Sequence, residues 1–111
     1  MIEITLLNHL QGTLSVPVRM EIPKTQPQSF VVLEKIGSGK RNRLCSATFA
    51  VQSYAPSMFE AATLNEAVKA AMESAITLDE VTSVALNSDY NYTDTASKKY
   101  RYQAVFDIYH Y

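Results

Sequence analysis

Apolar positions recur with a helical period near the start of the chain. Large apolar side chains fall on one face of residues 2–11, and Gly12 follows where a helix is expected to end. The pattern predicts a short amphipathic helix over residues 2–11, which needs packing against another element to be stable. The residues of this stripe are Ile2, Leu6, Leu7 and Leu10.

A second helical pattern follows Pro56. Ser57 and Glu60 have the spacing of a capping box, in which the two side chains satisfy backbone N–H groups at a helix N-terminus. An apolar stripe follows at helical spacing, with charged residues on the other side. The sequence therefore predicts a longer helix that packs on a sheet. The stripe consists of Leu64, Val68, Ala71, Met72 and Ala75.

The first half of the chain also contains three segments with the two-residue period of strands. Residues 16–22 alternate, and Pro17 indicates an edge position because proline cannot donate to a ladder. Residues 30–36 form a second predicted strand and residues 43–54 a third. The glycines at positions 37 and 39 predict the turn of a hairpin between them.

The second half adds two more predicted strands. Residues 81–86 form the first, residues 87–97 are a predicted polar loop, and residues 98–111 form a strongly alternating last strand. The predicted order is α-β-β-β-α-β-β. A run of strands with interposed helices favours a single α+β domain over residues 1–111, with a mostly antiparallel sheet and both helices on one face.

Composition narrows the classes of function. The chain of 111 residues is 47% hydrophobic and 19% charged, which is typical of a globular domain, and its formal net charge is −1. This charge provides no overall excess of cations for nucleic acid. A single cysteine excludes an internal disulfide, and no apolar run approaches the length of a membrane span. We therefore expect a protein with neither a membrane anchor nor a secretion signal.

The sequence offers little for catalysis or for cofactor binding. Cys45 falls on the apolar face of a predicted strand, and His9 and His110 lie at opposite ends of the chain. No group of residues has the spacing of metal ligands, and residues 37–40 lack the first glycine and the following Ser or Thr of a phosphate-binding loop. We predict no catalytic residue, no metal site and no cofactor.

Basic residues cluster around the predicted hairpin turn. They form either a solvated hairpin tip or a basic arm that docks on an acidic partner or on DNA phosphate. No aromatic residue is interleaved with them in the sequence, which disfavours single-strand binding by stacking. The cluster consists of Lys35, Lys40, Arg41 and Arg43.

Tyrosines and acidic residues provide a second set of interface candidates. Tyr109 and Tyr111 crowd the end of the last strand, and tyrosine is enriched at protein interfaces. The polar segment 87–94 could complement the basic turn between neighbouring subunits. The candidates in this segment are Asp89, Tyr90, Tyr92 and Asp94.

Several consecutive segments resemble the tail terminator, or tail completion, proteins of long-tailed bacteriophages and prophages. The likeness is concentrated in residues 16–72, in the segments 16–23, 30–35, 46–55 and 57–68, and the aromatic end of residues 100–111 also fits. The resemblance implies a structural protein without catalytic residues. Such a protein forms a ring, expected to be hexameric, that caps the tail tube, ends its growth and presents a surface to the head–tail connector.

The resemblance also implies where and with what the protein works. The subunit would be a monomer when free, would assemble on the major tail tube protein in the host cytoplasm, and would contact DNA only as DNA passes through the ring lumen. Its place in the virion would be the head–tail junction of the tail. Three alternatives stay open. They are a head completion or head–tail connector protein, a small nucleic-acid-binding module that uses the basic hairpin 35–43, and a small hydrolase with Cys45 as nucleophile.

Overall fold

The computed structural model describes residues 1–96 and 99–111, in the predicted order of elements. Helix α1 spans Ile2–Thr13 and helix α2 spans Met58–Ser74, followed by a short 3₁₀ turn at Ala75–Thr77. The strands are β1 (Val18–Arg19), β2 (Phe30–Arg41), β3 (Leu44–Ala55), β4 (Val81–Asn91) and β5 (Tyr100–His110). They form one five-stranded sheet in the order β1-β2-β3-β5-β4. Every strand pair is antiparallel except β1 with β2. The predicted α+β architecture is confirmed.

Both helices contribute to the core on one face of the sheet. Helix α1 buries Leu6 and Leu10, and α2 buries Val68 and Met72, which belong to the same apolar cluster as the strand residues. The cluster is centred on Phe49 of β3, which pairs with Phe106 of β5 and is fully buried. We refer to the opposite surface of the sheet, which no helix covers, as the open face.

The predicted cap of α2 is confirmed. The Ser57 Oγ accepts a hydrogen bond from the backbone N–H of Glu60 at 3.2 Å and donates one to the Glu60 carboxylate at 2.9 Å. These bonds satisfy a backbone donor that a helix N-terminus otherwise leaves free. Pro56 precedes the cap and lies outside the helix.

The first predicted helix and the first predicted strand change their bounds. Gly12 lies inside α1, which ends at Thr13, so the glycine does not end the helix. The strand predicted over residues 16–22 is reduced to Val18–Arg19 at the edge of the sheet, where Pro17 accepts a hydrogen bond from the Val31 N–H through its carbonyl oxygen. The predicted edge position is therefore confirmed. The predicted length of the strand was wrong, because the chain turns away from β2 after Arg19 and the pairing of β1 with β2 ends there.

The predicted glycine turn was also wrong. Gly37 and Gly39 lie within β2, and the chain reverses at Asn42 and Arg43. Both turn residues have positive φ angles, of 51° and 67°, as a two-residue hairpin turn requires. The turn contains no glycine, so the glycines at positions 37 and 39 did not mark its position.

Strand β4 is longer than predicted. It continues to Asn91 through a bulge between Leu86 and Ser88, so most of the predicted polar loop is strand. An edge strand tolerates polar residues because one of its backbone edges faces solvent. The predicted end of the loop at Ser97 and the predicted start of the last strand at Lys98 lie outside the described residues.

Candidate functional site

The sheet has two ends with different chemistry. At the hairpin end, Lys40 pairs with Cys45, Cys45 with His110, and His110 with Val81, so these residues form one rung across the sheet. At the opposite end, the neighbouring strands β3, β5 and β4 bring together Tyr54, Arg101 and Tyr92. The candidate residues from the sequence therefore divide into two groups that lie far apart along the strands.

Three of the four basic candidates lie at the hairpin end. Lys40 and Arg41 are exposed at the end of β2, and Arg43 is exposed in the turn. Lys40 and Arg41 line a shallow depression of about 440 Å³ that also includes Tyr109. Tyr109 lies close to these two basic residues because β5 runs beside β3. The linear sequence did not reveal this aromatic neighbour. The hairpin is not a free arm, since β5 pairs with β3 as far as Cys45.

Lys35 is separated from this group by an internal ion pair. Its Nζ lies 3.0 Å from the Glu3 carboxylate of α1. Hydrogen bonding from Lys35 is the main reason that the pKa of the Glu3 carboxyl lies below its ordinary value. Lys35 therefore ties α1 to β2.

The Asp89 carboxylate likewise forms its contacts within its own subunit. Its Oδ2 lies 3.0 Å from the Lys69 Nζ and accepts a hydrogen bond from the Asn65 amide at 2.9 Å. The hydrogen bond from Lys69 is the largest cause of a lowered Asp89 pKa, and the same contact raises the pKa of Lys69. The carboxylate thus joins β4 to α2, so it is a poor partner for the basic turn of a neighbouring subunit.

A polar and aromatic network covers the opposite end of the open face. The Tyr90 hydroxyl accepts a hydrogen bond from the Gln103 amide, and Gln103 in turn accepts one from Gln52 at 2.9 Å. The Arg101 guanidinium donates to the Tyr54 hydroxyl at 2.9 Å and stacks over the Tyr92 ring at 4.4 Å. Tyr90 and Tyr92 pack edge to face and keep 42% and 43% of their surface exposed.

Sequence reasoning missed the partners in this network. In the sequence, Arg101 and Gln103 alternate with the apolar residues of the last strand, and this pattern indicates that both lie on the face away from the core. Their contacts with Tyr54 and Gln52 depend on the pairing of β3 with β5, which no local pattern specifies.

The two remaining candidates lie at different ends of the sheet. Asp94 forms an isolated bridge with Lys99 beyond the end of β4. Tyr111 is 75% exposed, and its N–H donates to the Glu80 carbonyl at 2.9 Å, which places it at the hairpin end. Asp94 and Tyr92 therefore lie at the far end of the sheet from Lys40.

The sheet presents two unlike lateral edges. Strand β1 pairs with β2 at Val31 and Val32, and within residues 1–96 and 99–111 no strand pairs with the outer edge of β2 beyond them. The outer edge of β4 has no partner strand among the described residues either. Each edge carries a large exposed apolar side chain near its middle, Ile36 on β2 at 53% exposure and Leu86 on β4 at 41%.

The structure places a cysteine and a histidine together, which the sequence did not predict. Cys45 and His110 are directly paired on neighbouring strands. The His110 Nδ1 donates to the Tyr111 carbonyl at 3.0 Å, and no hydrogen bond joins the imidazole to the thiol among the described residues. This pair lacks the contact that would activate a thiol nucleophile.

The other histidine links the two helices. The His9 Nε2 lies 2.9 Å from both the Ala71 carbonyl and the Ser74 Oγ. A carbonyl oxygen accepts only, so Nε2 carries the proton and cannot act as a base toward Ser74. No group of three or more His, Cys, Asp or Glu side chains in the described part of the chain is arranged to hold a metal ion.

No protein-family model matches the chain, and the search of curated proteins found no match. Among the helices of residues 1–96 and 99–111, none combines the length and apolar character needed to cross a membrane.

Proposed function

We propose that this protein is a structural subunit of a long-tailed phage, which assembles as a ring on the end of the tail tube, ends its growth and forms the surface that meets the head. The observation that carries the proposal is that the outer edges of β2 beyond Val32 and of β4 differ from each other, and neither pairs with another strand among the described residues. A ring needs heterologous contacts, in which one patch of a subunit fits a different patch of its neighbour.

The surface chemistry supports a structural role. Exposed large apolar side chains occur on both lateral edges, and tyrosines project at both ends of the sheet. Tyrosine is enriched among the few residues that contribute most of the binding energy in protein interfaces. The sequence resemblance to tail terminators supplies the identity of the partners, which are a second copy, the tail tube protein and the head–tail connector.

Deletion of the gene from the phage or prophage that encodes it tests the proposal. The lysate is imaged by negative-stain electron microscopy, and a copy of the gene on a plasmid serves as the control. We expect filled heads beside detached tails of uncontrolled length, and restoration of joined particles by the plasmid copy. Detached tails of normal length would favour a head–tail connector, and intact infectious particles would overturn both assignments.

A second function is favoured by one observation at the hairpin end. Tyr109 lies beside Lys40 and Arg41, so an aromatic ring and two cations share one depression, a combination used in binding single-stranded nucleic acid. A gel-shift titration at increasing salt concentration tests whether the depression binds nucleic acid, because phosphate binding weakens steeply with salt. Retardation that disappears at high salt and in Lys40→Glu would favour the nucleic-acid module.

A further inference from the structure

We infer that copies of this chain join head to tail by pairing the outer edge of β4 in one copy with the outer edge of β2 in the next, with Leu86 beside the Lys35–Ile36 bulge at the centre of the contact. The inference rests on the proposed ring and names the interface that builds it. The occupant of each edge is a second copy of this chain.

Strand direction makes the two edges compatible. Strand β2 is antiparallel to β3, β3 to β5, and β5 to β4, so β2 and β4 run in opposite directions within one sheet. Rotation about a ring axis that runs along the strands places one subunit beside the next and keeps the strand directions. Strand β4 of one copy therefore meets β2 of the next copy as an antiparallel pair. Antiparallel pairing is the slightly more stable arrangement of the two.

The register of the sheet brings the exposed apolar residues of the two edges to neighbouring levels. Lys35 pairs with Phe49, Phe49 with Phe106, and Phe106 with Leu86, so these four residues form one rung. Ile36 follows Lys35 at the bulge of β2. Two copies placed side by side without a shift along the strands therefore bring Leu86 of one copy opposite Lys35 of the other, one residue before Ile36. Both side chains are exposed in the single subunit.

The bulges of the two edge strands also correspond. Strand β2 has one, between Lys35 and Gly37, and β4 has two, between Val81 and Ser83 and between Leu86 and Ser88. The β2 bulge and the second β4 bulge lie on opposite sides of the Phe49–Phe106 rung. Bulges restrict indiscriminate pairing of an exposed edge, because a partner strand must accommodate the irregularity. A second copy provides a partner strand with an irregularity at nearly the same level.

Charge is complementary at the hairpin end of the same contact. Lys40 lies on the rung that ends at Val81, and Asp79 and Glu80 directly precede Val81. An unshifted neighbour therefore brings Lys40 and Arg41 toward Asp79, which is exposed. This assignment replaces the predicted pairing of the basic turn with segment 87–94, because Asp89 is held by Lys69 and the segment continues toward the other end of the sheet.

Cross-linking in assembled particles tests the inference. The encoding phage carries Cys45→Ser with both Ile36→Cys and Leu86→Cys, and isolated tails are treated with a short bismaleimide and separated under denaturing conditions. We expect a ladder of bands that ends at the number of subunits in the ring. The matched controls carry one new cysteine each, and both are expected to remain single subunits.

The outcomes separate this inference from the proposed function. Dimers from Leu86→Cys alone would show that β4 pairs with β4, and rings visible on the tails without a ladder would show contact through another surface. Either result overturns the edge inference and leaves the ring in place. Absence of the protein from the tails overturns the proposed function and the inference together.

A charge swap provides an independent readout in the same phage. Lys40→Glu with Arg41→Glu is expected to lower the yield of joined particles at least tenfold, and addition of Asp79→Lys is expected to restore it. Asp94→Lys is the matched control, since it introduces the same charge at the far end of the sheet. Restoration by Asp94→Lys but not by Asp79→Lys, or full yield from the double glutamate variant, would contradict the register.

Discussion

The Lys69 Nζ lies 3.0 Å from the Asp89 Oδ2 and links helix α2 to the outer strand β4. Both side chains are more than two-thirds buried, and Asp89 also accepts the amide hydrogen bond of Asn65, which is itself buried. The two contacts hold the edge strand against the helix, so the edge proposed to meet the next subunit is fixed before assembly.

Removal of this carboxylate should weaken the subunit. Asp89→Ala deletes the ion pair and leaves the Asn65 amide group without its acceptor, so we expect the free energy of unfolding to fall by about 1–3 kcal/mol. Chemical denaturation measures the change. Glu66→Ala is the control, because Glu66 also contacts Lys69 but is largely exposed, and the expected loss is under about 0.5 kcal/mol. Equal losses in the two variants would argue against a structural role for Asp89.

The lowered pKa values of Glu3 and Asp89 predict how stability depends on pH. Each carboxyl binds a proton less readily in the folded chain, so the unfolded state takes up more protons as the pH falls. This contribution is fully present above the ordinary values of 4.5 and 3.8 and is lost as the pH falls through the lower folded values. Denaturation midpoints measured from pH 6 downwards should decrease, and less steeply in Asp89→Asn. An unchanged slope in that variant would mean that Asp89 does not contribute.

The cap of α2 provides a local test. Ser57→Ala removes the acceptor of the Glu60 N–H, and we expect a loss of about 1 kcal/mol, the usual effect of deleting a helix N-cap. Thr63→Ala is a suitable control, since the Thr63 hydroxyl donates to the Phe59 carbonyl within the helix and caps nothing. Thermal unfolding of both variants followed by circular dichroism distinguishes the two effects. Alanine has the higher helix propensity, so Thr63→Ala should cost little, and a loss as large as that in Ser57→Ala would contradict a specific capping role for Ser57.

The hairpin turn predicts a gain in stability. Arg43 adopts a φ angle of 67°, which is unfavourable for a residue with a side chain, and glycine adopts it without a steric cost. Arg43→Gly should raise the free energy of unfolding by about 0.5–1 kcal/mol. Arg43→Ala removes the same charge but keeps the strain, so it should not stabilise. A gain in Arg43→Ala equal to that in Arg43→Gly would attribute the effect to charge.

Much of the secondary structure could be read from local patterns. The cap at Ser57 and the stripe of α2 were placed correctly because both depend on neighbours within one or two helical turns. The turn of the β2–β3 hairpin was misplaced because Gly37 and Gly39 looked like turn residues, whereas Asn42 and Arg43 carry the positive φ angles. Strand β2 continues past the glycines because it pairs with β3 as far as Arg41 opposite Leu44, and sequence patterns do not report that register.

By itself, the sequence determined the fold class, the α2 helix and its cap, and the alternating pattern of β5, because helical and strand periods are local properties of the chain. Tertiary structure alone decided which candidates act together. Strand pairing placed Tyr109 beside Lys40 and Arg41 and put Leu86 on the rung of Lys35. Packing of the helices on the sheet formed the ion pairs of Lys35 with Glu3 and of Lys69 with Asp89. These contacts join residues distant in sequence, and their geometry follows from sheet order and register, which arise when the whole chain buries its apolar surface together.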